Sequence, residues 1–322
     1  MTRVYDSLFA QRIVEFVAQK RALGFPYDGS ECILASFDRF CLENFPGESA
    51  LTKELCFAWA VRRDTEQNNA FRNRLSVIRE FARYLNRLGE TAYIIPNFYA
   101  RKSARPVPYI YSEEEIAMIW GAFDKIKPRG GFPVRHFVIP AVIRLLYCCG
   151  LRPCEARKLK VDDVNLLDGK LYIRESKSHK DRIVMLADDA RDYLNDYHEK
   201  VCWFLPGRQW FFPSSSDTLY TKEWLEKEFR LVRNKLNIPC IGENPPRLYD
   251  FRHTFATHRF YLWMRDGKDL SAMLPYLSAY MGHAQLTDTY YYIHLVPGQL
   301  EAMSGLNFSR YESLLPEVEC DE

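Results

Sequence analysis

Between Arg247 and His294 the chain reads RLYDFRHTFATH, an intervening helical stretch, and then LSAYMGHAQLTDTYYYIHL. Tyr249, Arg252 and His253 fall together at the start of one helix. A Gly282-His283 pair follows, and then three consecutive tyrosines, Tyr290, Tyr291 and Tyr292. A buried core needs no Arg-His pair, and a solvated face needs no run of tyrosines. Phosphate chemistry uses all three residue types. Arginine clamps a phosphate through two parallel N–H groups. Histidine or tyrosine donates a hydrogen bond to it. A tyrosine hydroxyl can attack it and form a covalent intermediate.

Such a site needs further cations, and two upstream segments supply them: GLRPCEARKLKVDDV over 150–164 and RESKSHKDRIVML over 174–186. Arg152 lies where one helix ends at Gly150 and the next begins at Pro153, with Glu155 in its first turn. A phosphate at a helix start meets backbone N–H groups as well as the guanidinium. The plainer alternative is a surface ion pair between Arg152 and Glu155. Lys177 and Lys180 both fall in a polar turn between two short alternating stretches, where a solvated role is the default for either.

These three ordered motifs resemble the tyrosine recombinase family (phage integrase, Xer-like) over residues 147–294. The resemblance implies that Arg152 and Arg252 clamp the scissile phosphate and that Glu155 orients Arg152. It implies that Lys177, like the hairpin lysine of the family, is the general acid for the departing 5′ oxygen, with Lys180 as competitor. It implies a hydrogen bond from His283 to a non-bridging oxygen and a supporting structural role for His253. The family spaces its nucleophile nine residues after that histidine, which selects Tyr292 from the triplet. One position departs from the pattern: Tyr249 stands where the family usually has histidine. A phenol can still donate to a phosphate oxygen, but with an ordinary pKa near 10 it is a poorer proton shuttle than imidazole.

Composition narrows the class without naming a function. The 322 residues suggest two domains, and 47% hydrophobic content is enough for ordinary cores. The sequence holds no apolar run long enough to span a membrane, and its N-terminus does not read as a secretory signal. Nine cysteines without paired metal spacing fit reduced thiols in a cytoplasm. The expected location is therefore cytoplasmic, nucleoid-associated when bound to DNA. Net charge is only +2, but its distribution is uneven. From Arg62 to Arg105 there are ten basic and four acidic residues, a local excess of +6. Arg62, Arg63, Arg72, Arg74, Arg79, Arg83, Arg101, Lys102 and Arg105 are the candidate DNA contacts in that stretch. A solvated helix face is the alternative.

Patterning places the motifs on elements. Apolar spacing predicts four helices before Leu88, the third capped by Thr52 and the fourth carrying Arg72, Arg79, Arg83 and Arg87 on one face. The basic, proline-containing segment ARKSARPVP reads as an extended linker. Ser112 and Glu115 form a capping box for the next helix, and residues 134–149 make a largely apolar, central one. Leu171, Ile173, Ile183 and Met185 read as the apolar face of a hairpin, followed by helices over 188–198 and 222–236. The fold class is thus mainly α with a small β-hairpin or sheet. The domains are a helical N-terminal DNA-binding domain (1–100), a basic linker (101–110), a catalytic domain (111–299) and a tail (300–322). In the family such tails often dock on a neighbouring protomer; folding back on its own domain is the alternative.

The expected function is site-specific recombination through a 3′-phosphotyrosyl intermediate, with no cofactor and no metal. The expected partners are double-stranded DNA and further copies of the chain, as a tetramer on two sites. Two alternatives stay open at this level: a nicking-closing enzyme like a type IB topoisomerase, and a non-catalytic or weakly catalytic DNA-binding protein on the same fold.

Overall fold

The computed structural model describes residues 3–100, 107–174, 181–240 and 244–293. Lys177, Arg101, Lys102, Arg105 and the tail 300–322 lie outside them. The chain divides into two compact units, Met1–Arg105 and Pro106–Glu322.

The first unit is a four-helix module: α1 (Ala10–Ala22), α2 (Asp28–Asn44), α3 (Lys53–Trp59) and α4 (Asn68–Arg87). Its core is aromatic. Phe9, Phe16, Phe37, Trp59 and Phe81 are buried and meet at tilted or edge-on angles, the arrangement their quadrupoles favour. Thr52 caps α3 by accepting from Leu55 N at 3.3 Å. Two of the candidate DNA contacts are withdrawn from solvent here. Arg74 is clamped by both oxygens of Glu66, each at 2.7 Å, and also donates to the carbonyls of Trp59 and Val61. Arg79 donates to the carbonyls of Ile95 at 2.7 Å and Pro96 at 2.8 Å. Both side chains saturate backbone acceptors that burial would otherwise leave orphaned, so neither is a groove-facing cation. The face expected to carry Arg72, Arg79, Arg83 and Arg87 is therefore interrupted at Arg79. Arg62, Arg63, Arg72, Arg83 and Arg87 are exposed.

The second unit is mainly helical with one small sheet. It contains α5 (Glu113–Asp124), α6 (Arg135–Cys148), α7 (Pro153–Arg157), β1 (Val164–Asn165), β2 (Lys170–Ile173), β3 (Arg182–Met185), α8 (Asp188–Phe204), α9 (Lys222–Lys235), α10 (Asp250–Arg265), α11 (Leu270–Met281) and α12 (Thr287–Ile293). The Ser112–Glu115 capping box opens α5. α6 is the central helix, with Val138 to Ile143, Leu145 and Leu146 all buried. Tyr109 also belongs to this core and Ile110 is buried, so the last residues of the stretch read as linker are packed.

The three strands run antiparallel in the order β1-β2-β3. Leu171 pairs with Val184 and Ile173 with Arg182. The buried face of β3 is therefore Val184 and Arg182, while Ile183 and Met185 are about half exposed. The expected face of this strand was off by one residue, and a one-residue shift turns every side chain over. That correction points Arg182 inward.

Candidate active site

The candidate residues come from four places in the second unit, and α11 organises them. This helix ends at Met281, and Gly282 follows in the left-handed region at φ 66°. Glycine adopts that conformation without strain. The turn leaves three successive carbonyls, those of Tyr280, Met281 and Gly282, at the helix end. Each accepts from a different arginine. Arg182 Nε donates to Tyr280 O at 2.8 Å, Arg252 Nη2 to Met281 O at 2.7 Å, and Arg152 Nη2 to Gly282 O at 3.1 Å. Helix C-termini attract cations through these unpaired carbonyls.

Arg252 lies in the first turn of α10 and is fully buried. Its second contact is Gly150 O at 2.7 Å, and its Nε has no hydrogen-bond partner among the described residues. Gly150 sits at φ 58°, and a Cβ there would run into the Phe255 ring. Only glycine lets the chain turn from α6 toward α7 this close to α10. Burial, and then the neighbouring Arg152 charge, push the Arg252 pKa down from its ordinary value.

Arg152 is the residue just before α7, and Glu155 lies in that helix's first turn. Glu155 Oε2 accepts the Arg152 backbone N–H at 2.9 Å, and Oε1 accepts from Arg152 Nη1 at 2.7 Å. That backbone N–H is thus already taken, and any anion would meet the guanidinium instead. The Arg152–Glu155 pair is not on the surface: the two side chains are 12% and 3% exposed. Burial alone would raise the Glu155 pKa. Its hydrogen bonds with Arg182 and the charges of Arg182 and Arg152 outweigh burial and hold the carboxyl at about 2.

Arg182 is the member that sequence reasoning missed. It binds Glu155 with both ends of its fork, at 2.9 Å and 2.8 Å. The pairing register, which only the folded sheet supplies, sets it opposite Ile173 and turns it inward.

Tyr292, on α12, is 3% exposed. Its ring stacks on His283 with centroids 5.8 Å apart and tilts against His253 at 5.4 Å. Burial pushes its pKa up to about 12, with Arg252 pulling in the opposite direction. His283 Nδ1 is 2.7 Å from Thr289 Oγ1, a contact with no local sequence signal. Burial and then the charges of Arg252, Arg152 and Arg182 lower the His283 pKa to about 3. Burial, Arg247 and Arg252 bring His253 to about 4. Both rings are therefore neutral at pH 7. Tyr249 immediately precedes α10, 38% exposed, with its ring edge-on to His253 at 5.1 Å. Tyr290 and Tyr291 are partly buried beside the core formed by α10 and α11.

The structure thus brings Arg152, Glu155, Arg252, His253, His283 and Tyr292 together, with Tyr249 at the rim and Arg182 added. Two guanidinium groups, those of Arg152 and Arg182, share the Glu155 carboxylate, and a third, that of Arg252, has only backbone carbonyls as partners among the described residues. That leaves a buried excess of two positive charges beside a tyrosine hydroxyl. Uncompensated buried charge is costly, and a phosphate diester, with one negative charge, would offset half of it.

A comparison of the sequence with protein families matches the phage integrase family over residues 128–298. The provisionally assigned integrase/recombinase y4rB of Sinorhizobium fredii is 30% identical over 93% of this chain and 97% of its own length. The chain belongs to the phage integrase family. A tyrosine recombinase, XerD of Brucella abortus, is 28% identical over 71% of this chain and 73% of its own. Among solved structures, the XerH site-specific recombinase in a post-cleavage complex with a palindromic difH substrate matches with a TM-score of 0.62. Its sequence identity is 20%, over 86% of this chain and 78% of that one. The integrase described here is accordingly a tyrosine recombinase, an enzyme that cuts and rejoins DNA strands.

Proposed function

We propose that this enzyme carries out site-specific recombination by a phosphotyrosyl mechanism in which Tyr292 is the nucleophile. The Tyr292 Oη attacks a backbone phosphorus, the bond from phosphorus to the 5′ oxygen breaks, and a 3′-phosphotyrosyl link forms. The departing 5′ oxygen takes a proton and leaves as a hydroxyl. A 5′ hydroxyl from a second strand then attacks the phosphotyrosine and reverses the sequence, returning the proton to Tyr292. The covalent link retains the phosphodiester energy, so no nucleotide cofactor is required.

The observation that carries this reading is the convergence of Arg152, Arg252 and Tyr292 on the end of α11 with an excess of positive charge. Two guanidiniums held rigidly by backbone carbonyls are preorganised for the charge that builds on the phosphoryl oxygens. Arg252 also lowers the cost of forming a phenolate at Tyr292. In the tautomer whose Nδ1 accepts from Thr289 Oγ1, a neutral His283 carries its proton on Nε2 and can donate to a non-bridging oxygen. Tyr249 supplies a second neutral donor from the rim. Lys177, in the chain between β2 and β3, is assigned as the general acid on the strength of the family motif.

The basic residues of the first unit bind the duplex. Arg62, Arg63, Arg72 and Arg83 are the exposed candidates, with Arg101, Lys102 and Arg105 following in sequence; the contacts are to phosphates and fix position more than they read bases. Exchange between two duplexes needs four nucleophiles, so the acting species is a tetramer on two DNA sites.

The test is a nicked duplex that loses the cut strand on cleavage and so traps the covalent state. A pool of nicked duplexes with randomised arms serves as probe, since adduct formation itself selects the site. Wild type is expected to give a band that survives denaturation, and Tyr292→Phe to give none. A band that persists in Tyr292→Phe moves the nucleophile to Tyr290 or Tyr291.

A further inference from the structure

The motifs place Arg152 and Arg252 at the phosphate but give Arg182 no task, although its side chain is only 8% exposed and grips Glu155 with both arms. We propose that Arg182 is a positioning residue for strand cleavage: it occupies Glu155 so that Arg152 keeps its fork turned toward the end of α11. The inference rests on the reading of this cluster as the phosphate site.

The accounting of Glu155 carries the argument. Oε1 accepts from Arg152 Nη1 at 2.7 Å and from Arg182 Nη1 at 2.9 Å. Oε2 accepts from the Arg152 backbone N–H at 2.9 Å and from Arg182 Nη2 at 2.8 Å. Four donors meet one carboxylate, which saturates the favourable directions around it. The bidentate grip belongs to Arg182, so Arg152 keeps only one side-chain bond to Glu155. Its other arm reaches Gly282 O at 3.1 Å. Bidentate Arg–carboxylate pairing is the favoured geometry wherever it is open. Without Arg182, Oε2 would be free to draw in the second arm of Arg152 and fold it back onto α7. The charge balance acts in the same direction, because Glu155 shared between two cations neutralises Arg152 only in part.

Arg182 also has its own fixed seat. Its Nε donates to Tyr280 O at 2.8 Å, which ties β3 to α11. A Cβ on Gly282 would lie 3.0 Å from both Cδ and Nη1 of Arg182. The missing side chain at position 282 is therefore what gives the guanidinium room beside the turn that leads to His283. Arg182 reaches the reaction through Glu155 and Arg152, which makes it a positioning residue.

The experiment uses the full-length chain and a nicked duplex recovered from the randomised pool by wild-type adduct formation. Single-turnover cleavage is followed as a function of protein concentration for wild type, Arg182→Gln, Arg182→Lys and Gly282→Ala. Thermal unfolding of each variant runs in parallel. Arg182→Gln is expected to bind the duplex with wild-type half-saturation and cleave about 10²-fold more slowly at saturation. Arg182→Lys, which restores one charged donor, is expected to recover at least tenfold of that loss. Gly282→Ala, which crowds the guanidinium while leaving every charged group in place, is expected to slow the saturated rate and leave half-saturation unchanged. It decides the matter if Arg182→Gln does not fold. A folded Arg182→Gln, or in its absence a folded Gly282→Ala, that cleaves within threefold of wild type overturns the inference alone. So does a Lys variant no better than the Gln variant. A wild type that binds duplex but forms no adduct with any member of the pool overturns the phosphate-site reading and this inference with it.

Discussion

Tyr249 is where this enzyme departs from its relatives' pattern, and its surroundings say what the departure does. Burial lowers the Arg152 pKa and Glu155, then Tyr249, raise it, which sets the Tyr249 hydroxyl beside that guanidinium. A phenol at this rim donates a hydrogen bond well and moves a proton poorly. Tyr249→Phe is expected to slow single-turnover cleavage about tenfold through the lost hydrogen bond, with DNA affinity unchanged. Tyr249→His is expected to cleave at least as fast as wild type. A slower His variant would mean that the phenol does something imidazole does not. The two buried histidines make a separate prediction. His253 is held near 4 and His283 near 3, against about 6.5 unfolded. Below pH 6.5 the unfolded chain therefore binds more protons than the folded one, and stability falls as pH falls through that window. Each histidine contributes up to ~1.4 kcal/mol per pH unit. Glu155 acts in the same direction at lower pH: its stabilisation is complete above its ordinary value of 4.5 and is lost toward 2. Comparing urea midpoints at pH 7 and pH 5, His253→Gln should show a pH-dependent loss smaller than wild type's by about 2 kcal/mol. An equal loss in both proteins would contradict the buried, neutral ring. At this scale the sequence carried the site far: the residue types and spacing at Arg152, Arg252, His283 and Tyr292 pointed to phosphate, and the structure gathers them. Thr289 and Arg182 were not legible, because a threonine in a polar stretch and an arginine next to a turn look the same whether they face solvent or a buried partner.

Among the elements, α4 and β3 show why face assignments fail first. The apolar period of the fourth helix predicts it correctly, but arginines at helical spacing suggest a DNA-facing stripe. Arg74 and Arg79 instead meet backbone carbonyls and Glu66, a use that no local pattern announces, since the acceptors lie in the loops on either side of α4. The consequence is measurable. Arg74→Ala leaves a buried carboxylate unpaired and should destabilise the first unit by about 3–5 kcal/mol, read by chemical unfolding. Arg83→Ala should leave stability nearly unchanged and reduce the slope of log affinity on log salt by about one. The opposite assignment of effects would restore the stripe. β3 was misjudged because Arg182, Ile183, Val184 and Met185 include three apolar residues, so alternation could be drawn through either pair. The Leu171–Val184 pairing, a tertiary fact, decides it. The helix ends were more transparent. Thr52, Ser112 with Glu115, and the glycines at 150 and 282 are punctuation whose physical reason is local, and they fall where elements begin or stop.

On the scale of the whole molecule, a net charge of +2 conceals the chemistry, because cations and anions are sorted by place. Three arginines gather around one carboxylate in the second unit, while exposed arginines collect on the first. No helix among the described residues is long and apolar enough to cross a membrane. In the proposed mechanism guanidiniums meet the phosphate charge, so chelation with EDTA should leave the cleavage rate unchanged, and a loss restored by a divalent ion would require a different transition-state partner. All of this converges on one atom, the Oη of Tyr292. The most direct measurement is to form the covalent adduct on a nicked duplex, digest protein and DNA, and locate the modified peptide by mass spectrometry. The account predicts a nucleotide mass on the peptide spanning 287–293, with fragment ions assigning it to Tyr292 and to neither Tyr290 nor Tyr291. A modification on either neighbouring tyrosine, or on Tyr249, would contradict it.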